Sequence, residues 1–226
     1  MDITLGISSR EETALYHDHE FTHLLSLLDP ERGHYGVTPP QRTQEWNLIP
    51  FHDIDDIEYR APKYFDCIAP TEDHIKQIFA CFKKFHEDRG TGILVHCEAG
   101  ISRSTAAAML GLVSLGVDPQ SAFFTVTKIN ELGLPNRRML RIGGKMLGDN
   151  GRLLELAEAQ RVYLFAKYDQ LDPIETLRKE LEKKPWASIE LERWIWKIKN
   201  LGQSMERGSD MKMIDRLKIK LAMLKG

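Results

Sequence analysis

Short apolar runs alternate with longer amphipathic stretches along most of this chain. Residues 3–7 (Ile-Thr-Leu-Gly-Ile), 21–28, 46–51 and 93–97 have the length and branching of buried strands, and the run from Phe21 to Leu28 is closed by Asp29-Pro30. Between and after them the apolar period changes to that of helices. Residues 71–89 place Ile75, Ile78, Phe79, Phe82 and Phe85 on one face, with Thr71 as N-cap and Gly90-Thr91-Gly92 as the stop. The small-residue run from Thr105 to Leu112 predicts a buried helix. Pro119 opens another that should run to about Leu132, and two more are expected over 137–147 and 152–165. Ser8-Ser9-Arg10-Glu11-Glu12 reads as a helix start with a capping pattern, and residues 30–44, with Gly33, Gly36, Pro39 and Pro40, read as a surface loop. Strands alternating with helices predict an α/β domain with a central, mostly parallel sheet flanked by helices.

From Lys167 the character changes. Charged helical stretches follow, with Leu191, Trp194, Ile195, Ile198 and Leu201 in one stripe and Ile214, Leu217, Leu221 and Leu224 in another, too short for a coiled coil. We therefore expect a domain over 1–166 and an all-helical C-terminal extension over 167–226. The extension is read as packing helices or as a protein-docking or dimerising element; a membrane-surface contact through its last basic helix is the weaker reading. Net charge is −2 for 226 residues, which gives no reason to expect nucleic acid as a partner. The distribution is uneven: residues 167–226 hold 14 Lys/Arg against 10 Asp/Glu, net +4, and residues 1–166 hold 17 against 23, net −6. The three cysteines, Cys67, Cys81 and Cys97, do not form a disulfide framework, and no apolar run reaches the length of a membrane span. A cytoplasmic protein is the expectation.

The chemistry concentrates where the fourth strand meets the small-residue helix, in His96-Cys97-Glu98-Ala99-Gly100-Ile101-Ser102-Arg103-Ser104. A tight turn closing onto a helix N-terminus points backbone N–H groups into one hollow, and the helix dipole adds positive potential there. A thiol facing such a hollow loses its proton readily, and an arginine at its far end offers a planar fork for two phosphate oxygens. These residues predict a phosphate cradle made by Glu98 to Arg103 with Cys97 as nucleophile. The alternative is a structural, buried thiol at Cys97, which leaves Gly100, Arg103 and Ser104 unexplained.

His96-Cys97, five residues, then Arg103-Ser104 resembles the signature of the cysteine-dependent protein tyrosine phosphatases, and the Glu-Ala-Gly-Ile-Ser-Arg-Ser wording resembles the dual-specificity branch most. The resemblance covers about 1–166. It implies a phosphatase-like α/β fold and phosphomonoester hydrolysis through a cysteinyl-phosphate, without metal or cofactor. It implies that Arg103 holds the transferring group, that Ser104 assists departure of the sulfur and that His96 orients the loop. It also implies an aspartate on a loop after a strand, upstream of the cysteine, as general acid. Asp53 matches by its place after Ile-Pro-Phe-His but lies 44 residues before Cys97, a longer interval than usual, with 54–70 resembling an insertion. Asp55, Asp56 and Asp66 remain candidates. Pro135-Asn136 resembles the Pro-Asn element packed against the phosphate loop, although Arg137-Arg138 depart from the family's pattern there. Asn136 reads equally as a helix cap, and the two roles are compatible.

The loop carries no lysine among Glu98, Ala99, Ile101 and Ser102, which favours a singly phosphorylated protein side chain. We expect phosphotyrosine, with phosphoserine and phosphothreonine as further substrates. A catalytically dead phosphoprotein-binding module, a phosphatase of non-protein esters, and a sulfurtransferase or arsenate reductase are the rival readings. His17, His19 and His23 are close enough in sequence to suggest a metal, but their alternation fits the approach to a strand equally well.

Overall fold

The computed structural model describes residues 4–55 and 66–168. Four strands, β1 (Thr4–Ser9), β2 (His23–Leu28), β3 (Glu45–Pro50) and β4 (Gly92–Cys97), form one sheet in the order β1-β4-β2-β3. All three pairings are parallel, with Ser9 opposite Cys97 and Leu27 opposite Cys97 on its other side. This is the α/β architecture expected, and the sheet is wholly parallel. Every residue of β2 and β4 is buried, so both read as continuous apolar runs rather than alternating ones.

Five α-helices accompany the sheet: α1 (Glu72–Glu87), α2 (Arg103–Ser114), α3 (Pro119–Ile129), α4 (Arg137–Leu147) and α5 (Arg152–Tyr168). Thr71 caps α1 in a capping box with His74, and Ile75, Ile78, Phe82 and Phe85 are its buried face. The capping pattern at Ser9 and Glu12 is realised by reciprocal bonds, Ser9 N to Glu12 Oε2 at 3.0 Å and Glu12 N to Ser9 Oγ at 3.2 Å. It opens only a six-residue 3₁₀ turn, Glu11–Tyr16. Helix α3 stops at Ile129, short of Leu132, because Asn130 leaves the helical region at φ −132°, ψ 87°. Helix α5 runs three residues beyond the expected Phe165.

Helix α2 is the buried hub, packing on α1, α3, α4, β4 and β1. Its residues 103–112 are all buried, which requires small side chains at the crossings. A Cβ at Gly111 would collide with the Phe82 ring of α1, and one at Gly143 would lie 2.5 Å from Leu110 Cδ2. The chain divides into two compact units, Met1–Ala157 and Glu158–Gly226. The expectations for 169–226, and for Asp56, lie outside the described residues. No described helix is long and apolar enough to cross a membrane.

Gly111→Ala should therefore overpack the α1–α2 crossing and lower stability by roughly 1–3 kcal/mol, seen as a fall of several degrees in Tm. Unchanged thermal unfolding would show that the crossing has room to spare.

Candidate active site

Parallel sheets place their ligand sites beyond the carboxyl ends of the strands. Here β4 delivers Cys97 to that edge and α2 begins six residues later, with the loop 98–102 between them. The loop's carbonyls are bound from outside. Glu98 O accepts from Arg10 N at 3.3 Å, Ile101 O from Leu134 N at 2.9 Å and Ser102 O from Asn136 N at 3.3 Å, while Gly100 O accepts from Asn130 Nδ2. Thr105 Oγ1 donates to Ile101 O and Ser102 O at 2.6 and 2.8 Å. Among the described residues, none of the backbone amides of 98–103 donates to a protein acceptor. Six unpaired amides in one short loop form a nest for an anion. Gly100 makes the tight course of the loop feasible: its φ is +71°, and a Cβ there would lie 2.6 Å from Ser9 N.

Cys97 is buried, and its Sγ lies 3.3 Å from Ser104 Oγ, which sits in the first turn of α2. Arg103 is 2% exposed. Its Nη1 donates to Asp29 Oδ1 at 2.8 Å and to the Phe51 carbonyl, and its guanidinium lies over the Phe51 ring. Nε is buried with no hydrogen-bond partner. Anchoring one nitrogen in this way leaves the Nε edge of the fork for a pair of ligand oxygens. Burial, the largest influence, works against the cation, yet Asp53, the Cys97 sulfur and Asp29 hold its pKa above the ordinary guanidinium value.

The structure brings Asp53 to this loop and gives Asp55 and Asp66 different surroundings. Asp53 Oδ1 accepts from Ser102 Oγ at 2.6 Å and from Asn136 Nδ2 at 2.9 Å. Asp55 is instead tied to Arg137, Nε to Oδ2 at 2.6 Å, and Asp66 is exposed. Asn136 caps α4, its Oδ1 accepting from Met139 N, and its amide nitrogen donates to Asp53 Oδ1 and the Ile54 carbonyl. Glu98 lies between Arg10 at 3.5 Å and Arg32 at 3.8 Å.

His96 is fully buried one residue before the nucleophile, and burial pushes its pKa down to about 4, the Cys97 backbone being the chief opposing influence. Its Nε2 lies 2.6 Å from Ser26 Oγ, which accepts from Trp46 Nε1 at 2.8 Å. Trp Nε1 is only a donor, so the Ser26 hydroxyl best satisfies both neighbours by giving its hydrogen to Nε2. That assignment puts the ring proton on Nδ1, which has no hydrogen-bond partner of ordinary geometry among the described residues.

Asp29, Ser26, Trp46 and Asn130 were not among the sequence-derived site residues. For Asp29 a signal existed, an acid at the carboxyl end of a strand in a parallel sheet, but it read equally as a strand terminator. Two of the clustered histidines find other partners. His23 is hydrogen-bonded to Thr22 at 3.0 Å and Asp88 at 3.2 Å, and His19 stacks on Phe21. Among the described residues no group of three His, Cys, Asp or Glu is placed to hold a metal ion.

The folded protein keeps His96 neutral down to about pH 4, whereas the unfolded chain protonates near 6.5. Between those values the unfolded state binds more protons, so stability should fall as pH drops through that window, by on the order of 3 kcal/mol in total. Urea unfolding at pH 7 and pH 4.5 should show His96→Asn losing that part of the acid slope, whatever its stability at pH 7.

No family model matches the sequence, and no curated protein does. Solved structures that resemble it include the human tyrosine phosphatase-like serine/threonine/tyrosine-interacting protein, 16% identical over 65% of this chain and 92% of that one, TM-score 0.49. Human DUSP28 is 18% identical over 69% of this chain and 94% of that one, TM-score 0.46. A mouse putative dual specificity phosphatase crystallised with zinc tungstate is 19% identical over 66% and 84%, TM-score 0.47. The chain is thus similar to structures of the dual-specificity phosphatase type, at identities and TM-scores that leave its function to the geometry of the loop after β4.

Proposed function

We propose that this chain is a cysteine-dependent phosphatase that hydrolyses phosphate monoesters, with phosphotyrosine in proteins as its substrate class and phosphoserine and phosphothreonine as further substrates. One observation carries the reading: four of the five carbonyls of the loop 98–102 are engaged from outside while the amides of 98–103 have no protein acceptor among the described residues, between a buried Cys97 and the unpaired Nε of a buried Arg103. Such a site is built for a tetrahedral oxyanion next to a nucleophile.

In the proposed reaction the Cys97 thiolate attacks phosphorus in line. An S–P bond forms, the P–O bond to the leaving group breaks, and Asp53 gives its proton to the departing oxygen. The amides of Glu98, Ala99, Gly100, Ile101 and Ser102 and the Arg103 guanidinium hold the equatorial oxygens throughout. Asp53, now a carboxylate, takes a proton from the water that attacks the cysteinyl-phosphate. The S–P bond breaks and the thiolate returns to the hydrogen bond of Ser104. His96, neutral and buried, touches no reacting atom in this scheme and serves to fix the strand end. Asn136 supports the acid. No cofactor enters any step. A thiolate nucleophile needs a reducing compartment, so the proposed location is the cytoplasm, and residues 167–226 are proposed as a docking or dimerising segment for a protein partner.

A lysine-free loop supports a substrate with one phosphate. Release of phosphate from inositol polyphosphates far faster than from phosphotyrosine peptides would replace that substrate class.

With phenyl phosphate, Cys97→Ser should abolish turnover, and Asp53→Asn should remove the basic limb of the pH–rate profile at a loss of roughly 10²–10⁴-fold. Asp66→Asn should leave the profile unchanged. Full activity in Cys97→Ser, or turnover of thiosulfate or arsenate instead of the ester, would assign the loop to other chemistry.

A further inference from the structure

The segment that carries the acid is held from one end of α4. At the start of that helix Asn136 binds Asp53 Oδ1 and the Ile54 carbonyl, the next residue, Arg137, binds Asp55, and Arg138 Nε donates to the Pro70 carbonyl at 2.9 Å. Three consecutive residues thus engage the chain leaving β3 and the chain entering α1. The Arg137–Asp55 pair is short, 2.6 Å, and its side chains are only 13% and 10% exposed, so water and salt screen it weakly. Ile54 between the two aspartates is 1% exposed and packs as part of the core. With Ile54 buried and Asp55 fixed, Asp53 has little freedom to leave the loop.

We propose that Arg137 is a positioning residue for the acid: through its ion pair with Asp55 it sets the depth at which Asp53 meets the phosphate loop. The proposal rests on the phosphatase reading above and adds to it a residue that touches neither substrate nor reacting atoms. Its consequence is specific. Protonation of the leaving oxygen matters for a poor leaving group and hardly at all for a good one. Nucleophilic attack and oxyanion binding matter for both. A displaced acid therefore costs rate in proportion to the basicity of the leaving group, whereas a loosened fold costs rate for every ester.

The test compares kcat/KM of the full chain and of Arg137→Ala and Arg137→Lys on two esters. One is phenyl phosphate, whose leaving group has a pKa of about 10, like tyrosine. The other is the phosphate of a strongly acidic fluorinated umbelliferone. We expect Arg137→Ala to lose roughly ten- to a hundredfold on phenyl phosphate and less than about twofold on the fluorinated ester. Arg137→Lys, which keeps the charge, should recover part of the loss. Competitive inhibition by orthovanadate should change less than about threefold in both variants, reporting an intact loop. Equal losses on the two esters, no loss on either, or a large loss of vanadate inhibition would overturn the role given to Arg137. Wild-type turnover that survives Cys97→Ser would instead remove the phosphatase reading, and this proposal with it.

Discussion

The site depends on a loop whose polarity has been sorted by its surroundings. Carbonyls of Glu98, Gly100, Ile101 and Ser102 are taken by donors from the end of β1, the end of α3, the α3–α4 connection and α2 itself. With the carbonyls turned outward, the amides have nothing left to bind within the protein. An amide without a protein partner costs about 1–3 kcal/mol where it is buried, as the residues Gly100 to Arg103 are, whereas Glu98 is half-buried and Ala99 exposed; β4 and the buried helix α2 fix both ends of the loop. The same cost makes the site selective for a ligand with several acceptor oxygens. An oxyanion needs no reorganisation of this loop on arrival, which is the condition under which fixed dipoles are most effective.

Arg103 ties that loop to the acid segment. Its Nη1 binds the carbonyl of Phe51, the first residue after β3, and two residues on Asp53 is held by Ser102 from the loop and Asn136 from α4. The loop after Cys97, Arg103 and Asp53 therefore share supports rather than standing on separate ones. Asp29 completes the arrangement by neutralising Arg103 from the end of β2, the strand between β4 and β3. Substitutions at Ser102, Asn136 and Arg103 belong to one network, and their effects on rate should not add.

Much of this was legible in the chain because it is local. Apolar runs of strand length, the Thr71 cap, the Asn136 cap and the left-handed Gly148 that ends α4 are all set within a few residues of where they act. The loop after β4 was legible because Cys97, Gly100, Arg103 and Ser104 lie within one stretch of eight residues. The pairing of Asp29 with Arg103, 74 residues apart, and the Trp46–Ser26–His96 chain across β3, β2 and β4 depend on strand order, which no local pattern encodes. The aspartates were alike in sequence for the same reason. Asp53 and Asp55 differ only in what α4 presents to each, and α4 lies more than 80 residues downstream. The end of α3 was misjudged because Asn130 gives up helical geometry while its side chain binds the loop.

Net charge is a poor guide to this site, and the structure shows why. Residues 1–166 carry a net −6, yet several carboxylates around the loop are met by cations, Asp29 by Arg103, Glu98 by Arg10 and Arg32 and Asp55 by Arg137, while Asp53 is held by the neutral Ser102 and Asn136. Beyond roughly 8 Å salt screens the remaining exposed acids at physiological ionic strength. What an incoming phosphate meets is set by the unpaired amides, the N-terminus of α2 and the one free edge of a guanidinium, all within a few ångströms.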